Sequence, residues 1–451
     1  MVAGLCIAVG LFCIAPAGAD TLTDALASAY LTNPDINVAR ALTRVADEAL
    51  PIAKSALRPN VTGSGSITRT IRNSFTGSLG KSSSDRTDGS IGLSVTQNLF
   101  RGFRTKNAKL EADASILASR QSLASIVQDV LFDAAQAYMN VLSDQALLDL
   151  QRESVQFLGE QLKADQDRFD VGESTRTDVA QTSARLSGAQ ANVSLAEANL
   201  NASRAIYRQV VGKEPEKLST GYSYKRLLPG SLAKGLESGQ VRHPAILAAI
   251  YDADAAAFVV KQVEGELLPT VSLEGSVERR FGIDNSDYAN SASITGRVRI
   301  PLYQGGGVSA RVRQAKETQG LRQIVIDVRR TQIRAAIVSS WGQLEAANAA
   351  IIAASAQVEA ARIALTGVQE EQRVGQRTTL DVLISEQGLV DARRNQILAR
   401  RASIVASFAL LSSAGLLSAE NLNLPVQRYD PSAHYEAVKD KWFGLRTPDG
   451  R

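Results

Sequence analysis

The feature that most constrains this chain is that it repeats itself. DRFDVGESTRTDVAQ, residues 167–181, recurs as EEQRVGQRTTLDVLI, residues 370–384. Val171-Gly172 matches Val374-Gly375, Thr175 matches Thr378 and Asp178 matches Asp381, at an offset of 203 (375 − 172). Asn33-Pro34-Asp35-Ile36 echoes His243-Pro244-Ala245-Ile246, and Leu57-Arg58-Pro59 echoes Leu267-Leu268-Pro269, at an offset of 210 (244 − 34). Asn98-Leu99-Phe100-Arg101-Gly102 echoes Pro301-Leu302-Tyr303-Gln304-Gly305, back at 203. The register slips once, by seven residues, between about 62 and 98, which predicts a longer loop in the first half. A repeat at this period means that each half builds the same unit. Residues 20–218 and 231–418 are therefore read as two structural repeats, with 419–451 as a tail.

Each half gives the same order of elements. A short helix (about 21–31; 231–239) precedes a helix that starts at proline (about 34–57; 244–267), where a missing N–H costs nothing. Pro59 and Pro269 end those helices. Two extended stretches follow, about 61–70 and 90–99 in the first half and about 270–280 and 292–303 in the second. Val61, Gly63, Gly65 and Ile67 alternate with Thr62, Ser64, Ser66 and Thr68. Val271, Leu273 and Val277 alternate with Ser272, Glu274, Ser276 and Glu278. Apolar one way and polar the other for about ten residues is the pattern of a transmembrane barrel strand. A half-buried strand of a soluble sheet shares that pattern. The polar linkers 70–89 and 280–291 read as exposed outer loops.

Long helical hairpins then run over about 104–211 and 308–414. Val127, Ala134, Val141, Leu148, Val155, Leu162 and Phe169 are spaced by seven, with Val130, Ala137 and Leu158 as a companion seam. Ile337, Leu344, Ile351, Val358 and Leu365 keep the same spacing. Heptads of this length impose left-handed coiled-coil packing. At 1.5 Å per residue, a helix from about 105 to 170 rises on the order of 100 Å. Each hairpin bends at the repeated turn. Gly172 and Gly375 supply the left-handed residue that ends a helix. Thr175-x-x-Asp178 and Thr378-x-x-Asp381 start the next one as capping boxes.

Composition and compartment narrow the function. Aromatics are only 5% of the 451 residues, and the net charge of +4 is spread along the helices, so no nucleic-acid footprint is read. Residues 1–19 read as a secretory signal peptide, with an apolar run before Ala17-Gly18-Ala19. Both cysteines, Cys6 and Cys13, lie inside it, which leaves the mature chain without thiol chemistry. No apolar run of about 18 residues follows, so no spanning helix is expected. The two histidines, His243 and His434, form no catalytic or metal-ligating set. No enzyme activity, metal or cofactor is expected. Four strands cannot close a barrel, and an open edge cannot sit in lipid, so the chain must oligomerise if its strands are transmembrane. The competing reading is a soluble periplasmic coiled-coil adaptor or structural protein.

The chain resembles the TolC family of outer-membrane export ducts over nearly all of its mature length. The resemblance rests on the Asn-Pro and Leu-x-Pro pairs, LSVTQNLFRGF and VRIPLYQGGG, and RFDVGESTRTDV and QRVGQRTTLDVL. The tail YDPSAHYEAVKDKWFG is similar to the subgroup serving type I secretion. The family implies an α-helical coiled-coil tunnel on a transmembrane β-barrel, a homotrimer sharing 12 strands, four per chain. It implies passive export of drugs or proteins from the outer membrane across the periplasm. It also implies partners, a periplasmic adaptor and an inner-membrane pump, whose docking opens the tip. Carried onto this sequence, Thr177, Asp178 and Arg377 match gate positions, with Gln372 where the family has an aromatic lock residue. Asp381 matches an acidic ring position at the constriction, and Ile384 replaces a second one. A ring of Asp381 carboxylates would favour cations. Asp178 and Asp381 equally fit the third position of a helix, where a carboxylate steadies the first turn. Val171, Gly172, Thr175, Val374, Gly375 and Thr378 form the tips beside which an adaptor would dock.

Overall fold

The computed structural model describes residues 20–77, 80–220, 225–283 and 286–450. The leader expected at 1–19 lies outside the described residues. The elements run α1 (Leu22–Thr32), α2 (Pro34–Asp47), α3 (Ala49–Ser55), β1 (Asn60–Thr76), β2 (Gly80–Arg101), α4 (Arg104–Asp170) and α5 (Arg176–Val211). The second half repeats them as α6 (Leu232–Arg242), α7 (Pro244–Glu264), β3 (Thr270–Gly282), β4 (Tyr288–Arg299), α8 (Gly307–Arg373) and α9 (Thr379–Ser413), before α10 (Ser432–Val438). The chain forms two compact units, and each draws on both sequence halves.

The first unit comprises residues up to 37, 126–243 and 333–428. Its core joins Leu22, Leu26 and Tyr30 of α1 to Leu131, Ala134 and Tyr138 of α4, Tyr207 and Val211 of α5, and Phe408 and Leu411 of α9. The Tyr138 hydroxyl donates to the carbonyls of Asp20 (2.9 Å) and Ser219 (2.7 Å), so a buried ring keeps its polar end paired. Further along the hairpins, Leu158, Ala189 and Leu383 form a second, smaller core.

The second unit comprises residues 38–125, 244–332 and 429 onward. It holds an antiparallel sheet of order β1-β2-β3-β4. Val61, Gly63, Gly65 and Ile67 stand opposite Val95, Leu93, Ile91 and Gly89. Leu93 then pairs with Val277, and Val277 with Ala292; Val95 pairs with Gly275, and Gly275 with Ile294. One face is therefore an apolar band, and Thr62, Ser64, Glu274 and Arg297 lie on the other. The ring of Phe281 covers Gly89, where a methyl group would come within 2.5 Å of it. Helices adjoin the end of the sheet at which β1 and β3 begin and β2 and β4 finish.

Four expectations need correction. Among the described residues, 70–76, 80–89, 280–282 and 288–291 are strand, not outer loop. Their polarity misled, because the ladder satisfies the backbone whatever the side chains. Arg69 forks onto Asp85 (3.0 and 2.7 Å), an ion pair on the face that is apolar nearer the helices. The extra length of the first half is thus strand. The helix expected over 34–57 breaks at Glu48, because Pro51 removes an N–H and crowds the carbonyl of Asp47. Finally, two helical stretches, Leu232–Leu267 and Gly307–Arg373, are apolar and long enough to cross a membrane by composition. Their hydropathy is an average over alanine-rich sequence rather than an unbroken run. The first is interrupted at Pro244, and the apolar part of the second is almost wholly uncovered within one chain.

Candidate functional site

The two turns of the helical hairpins are built alike. Helix α4 ends with Gly172 at φ 82°, and α8 with Gly375 at φ 78°. These are left-handed conformations that a side chain resists. The Glu173 amide donates to the Arg168 carbonyl at 2.8 Å, and the Gln376 amide to the Glu371 carbonyl at 2.9 Å, which closes both helix ends. The next helix starts with a reciprocal capping box in each copy. The Asp178 amide donates to the Thr175 hydroxyl at 3.2 Å, and the Thr175 amide to the Asp178 carboxylate at 3.1 Å. The Asp381 amide donates to Thr378 at 3.2 Å, and the Thr378 amide to Asp381 at 3.0 Å. Val171 and Val374, the apolar residues of the tips, are exposed.

These bonds set the electrostatics. The Thr175 hydroxyl, then its amide and the Ser174 hydroxyl, hold the Asp178 carboxyl below the usual carboxylate range. The amide and hydroxyl of Thr378, with Arg377 nearby, do the same for Asp381. Arg377 donates to Glu371 at 2.8 Å, and that bond, with Asp381 behind it, raises the guanidinium further. Thr177 is exposed, and Ile384 is exposed one turn beyond Asp381. Among the described residues no ion pair joins Asp178 to Arg377 within the chain. Both candidate carboxylates are spoken for locally as caps.

Gln372 leads to a site the sequence reading missed. Its side-chain amide donates to the Thr379 hydroxyl at 3.3 Å. That hydroxyl donates in turn to Asp165 at 3.5 Å. Asp165 is fully buried and also accepts from Thr182 at 2.7 Å and from Gln161 at 3.0 Å. One carboxylate on α4 thus gathers residues of α5, α9 and, through Thr379, α8. The signal was present: the companion seam Val130, Ala137, Leu158 continues by sevens to Asp165 and also passes through Asp144. Both acids face hydroxyls on the seam of α5, Asp165 facing Thr182 and Asp144 facing Ser203. Polar residues at heptad core positions fix register at some cost in stability.

A groove of about 560 Å³ runs between α4, α5 and α9, lined among others by Ser154, Arg185, Glu386, Asp391 and Arg394. Glu386 is buried in it and accepts from the Ser154 hydroxyl at 2.6 Å. Burial pushes its carboxyl up, and the Ser154 bond only partly opposes this. His243 caps α6 beside Pro244, and burial lowers its imidazole. Among the described residues no cluster of histidine, cysteine or acidic side chains has metal-binding geometry.

This doubled hairpin-and-sheet plan has known counterparts. The outer membrane efflux protein family model matches residues 25–213 and 236–416, so both repeats are recognised. The chain belongs to the outer membrane efflux protein family. It is 44% identical to the outer membrane efflux protein BepC of Brucella suis over 436 residues, covering 96% of this chain and 93% of that one. It is 28% identical to the outer membrane protein TolC of Vibrio cholerae, over 90% of this chain and 92% of that one. In fold it is similar to the outer membrane channel CmeC of Campylobacter jejuni, with a TM-score of 0.78 at 16% identity, over 93% of this chain and 89% of that one. The protein is thus a TolC-family outer-membrane efflux channel, and the resemblance read from the motifs holds. The reading as a soluble periplasmic protein gives way to it.

Proposed function

We propose that the protein is a trimeric channel-tunnel whose three chains share a 12-stranded barrel. The observation that carries this is the sheet. Among the described residues, its outer strands β1 and β4 each keep an unpaired edge, and its apolar face, with Ile294 at 82% exposure, is uncovered. A backbone edge in lipid leaves every second N–H and C=O without a partner, so the edges must be closed by other copies. Three copies of four strands exceed the practical minimum for closure. The uncovered residues of α8, among them Ile324, Ile352 and Ile363, are the matching demand from the helices. They supply a seam for a neighbour.

In this reading the paired turns are the periplasmic mouth. Because one chain alone does not bring Arg377 to Asp178 or Thr177, a lock formed by them would have to cross between copies. Asp381 would stand as an acidic ring and Ile384 as an apolar one. Gln372 would act through Asp165 inside each protomer. Docking of a periplasmic adaptor beside Val171 and Val374, and of an inner-membrane pump, would release the mouth. Efflux is supported by the family, and protein export is supported by the likeness of the tail to the type I secretion subgroup. The test is electrophoresis of outer-membrane fractions without heating, together with conductance in planar bilayers. Heat-dissociable trimers with a small resting conductance are expected. A monomer in detergent that inserts no pore would sink the proposal.

A further inference from the structure

The C-terminal segment from Tyr429 is a strap that neither the barrel nor the gate reading uses. Its contacts climb α2 and α3 in order. The Arg40 guanidinium lies 5.3 Å from the centre of the Tyr429 ring. His434 Nδ1 is 3.0 Å from the buried Asp47. Tyr435 donates to Asp113 at 3.1 Å while its ring packs on Leu50, Ala112 and Ile116. Lys54 donates to the Lys439 carbonyl and pairs with Asp440, both at 2.7 Å. Arg58 donates to the Lys441 carbonyl at 2.7 Å, and its guanidinium lies 4.6 Å from the centre of the Trp442 ring.

Arg58 stands two residues before β1, so the strap delivers Trp442 to the helix-side rim of the sheet. There its character changes. Trp442, Phe443 and Leu445 are 65%, 91% and 103% exposed. Phe103, after β2, and Leu302 and Tyr303, after β4, are exposed at the same rim. The apolar band of the sheet begins beside them at Val61. Cations accompany the tip: Lys441, Arg446 and Arg58, with Asp440 already neutralised by Lys54. Aromatic side chains with one apolar and one wet end favour the water–lipid boundary, and cations there favour anionic headgroups.

We propose that the Trp442–Leu445 tip is a membrane-interface anchor, which inserts into the periplasmic leaflet of the outer membrane while Arg58, Lys441 and Arg446 meet anionic phospholipid headgroups. The proposal rests on the barrel reading, because it takes the apolar band of the sheet as the lipid-facing surface.

The chain has two tryptophans, Trp341 in α8 and Trp442, which makes the test direct. The full-length protein carrying Trp341→Phe is reconstituted into vesicles of phosphatidylethanolamine with a minority of phosphatidylglycerol. A second preparation has acyl chains brominated near the headgroup. Trp442 emission should fall by roughly half in the brominated vesicles, as for an interfacial ring. Trp341, read in the Trp442→Phe variant, should be unaffected. Ile67→Trp in a chain lacking both native tryptophans, placed in vesicles brominated deep in the acyl chains, reports on the strands, because residue 67 lies about 20 Å along β1 from Val61 at about 3.3 Å per residue. Quenching at residue 67 without quenching of Trp442 overturns the anchor alone. Quenching at neither site overturns the barrel reading and the anchor with it. Blue-shifted Trp442 emission without bromine quenching overturns the anchor in favour of a protein neighbour. Quenching that is unchanged when phosphatidylglycerol is omitted overturns the headgroup assignment.

Discussion

Replacing Asp165 with alanine should loosen the tips of both helical hairpins. The substitution removes the acceptor for Thr182 at 2.7 Å, Gln161 at 3.0 Å and Thr379 at 3.5 Å. Asp165 and Thr182 are both fully buried, so the Thr182 hydroxyl has no water to turn to. A buried hydroxyl left unpaired costs about 1–3 kcal/mol. Gln161 is only half-buried and can pair with solvent, and the Thr379 bond is long and contributes little. Removing a buried carboxylate returns part of the loss, since its desolvation is no longer endured. The balance is about 2 kcal/mol, or about 30-fold in the equilibrium between a tied and an untied tip. Two assays read it. Tryptic nicking at Arg168 and Arg176, beside the first turn, follows the population of the open tip when reclosing is fast. Resting conductance in planar bilayers follows the same population if the tip is the gate. A double-mutant cycle with Thr182→Val should be strongly non-additive, because each change already breaks the same bond. Nicking and conductance both within about twofold of the parent, against the tenfold per 1.4 kcal/mol expected, would refute the argument. Additive effects in the cycle would show that Asp165 and Thr182 act apart.

Three further outcomes are expected. Arg377→Ala frees Glu371 and should raise resting conductance; an unchanged trace removes Arg377 from the gate. Asp381→Asn keeps a side-chain oxygen to accept from the Thr378 amide but removes the charge, so cation preference should weaken at constant helix content, as read from reversal potentials. Unaltered selectivity would leave Asp381 a cap only. Glu386→Gln should raise the melting temperature in a pH-dependent way. The folded chain holds the Glu386 proton more tightly than the unfolded chain, so its contribution is full below the unfolded value of 4.5 and is lost as pH rises through the folded value. The variant should therefore match the parent near about pH 4 and exceed it near about pH 7. A difference independent of pH would defeat this account.

The gate candidates show where sequence reasoning reaches and where it stops. The glycine and the Thr-x-x-Asp box were legible because each acts within four residues of itself. That Arg377 turns to Glu371 was not, since six residues separate them across the turn. Asp165 lay on a spacing of seven in plain view, but a carboxylate at a core position reads as an interruption until its donors are known. The polar strand ends were misjudged for a related reason. Side-chain polarity marks a boundary with solvent, whereas the strand ends only where the ladder stops pairing.

By itself the sequence determined the duplication, the alternation in the strands, the heptads and the two turns, hence the order of elements and the family resemblance. These are properties of local periodicity and of backbone preference, and they need no partner to be read. Only the tertiary structure decided which distant groups meet. It brought Thr182 and Thr379 to Asp165, left β1 and β4 with open edges, and carried the tail along α2 and α3 to the rim of the sheet. Those contacts follow from closing loops of tens to hundreds of residues, and the pairing on which each depends is fixed by packing rather than by any spacing along the chain.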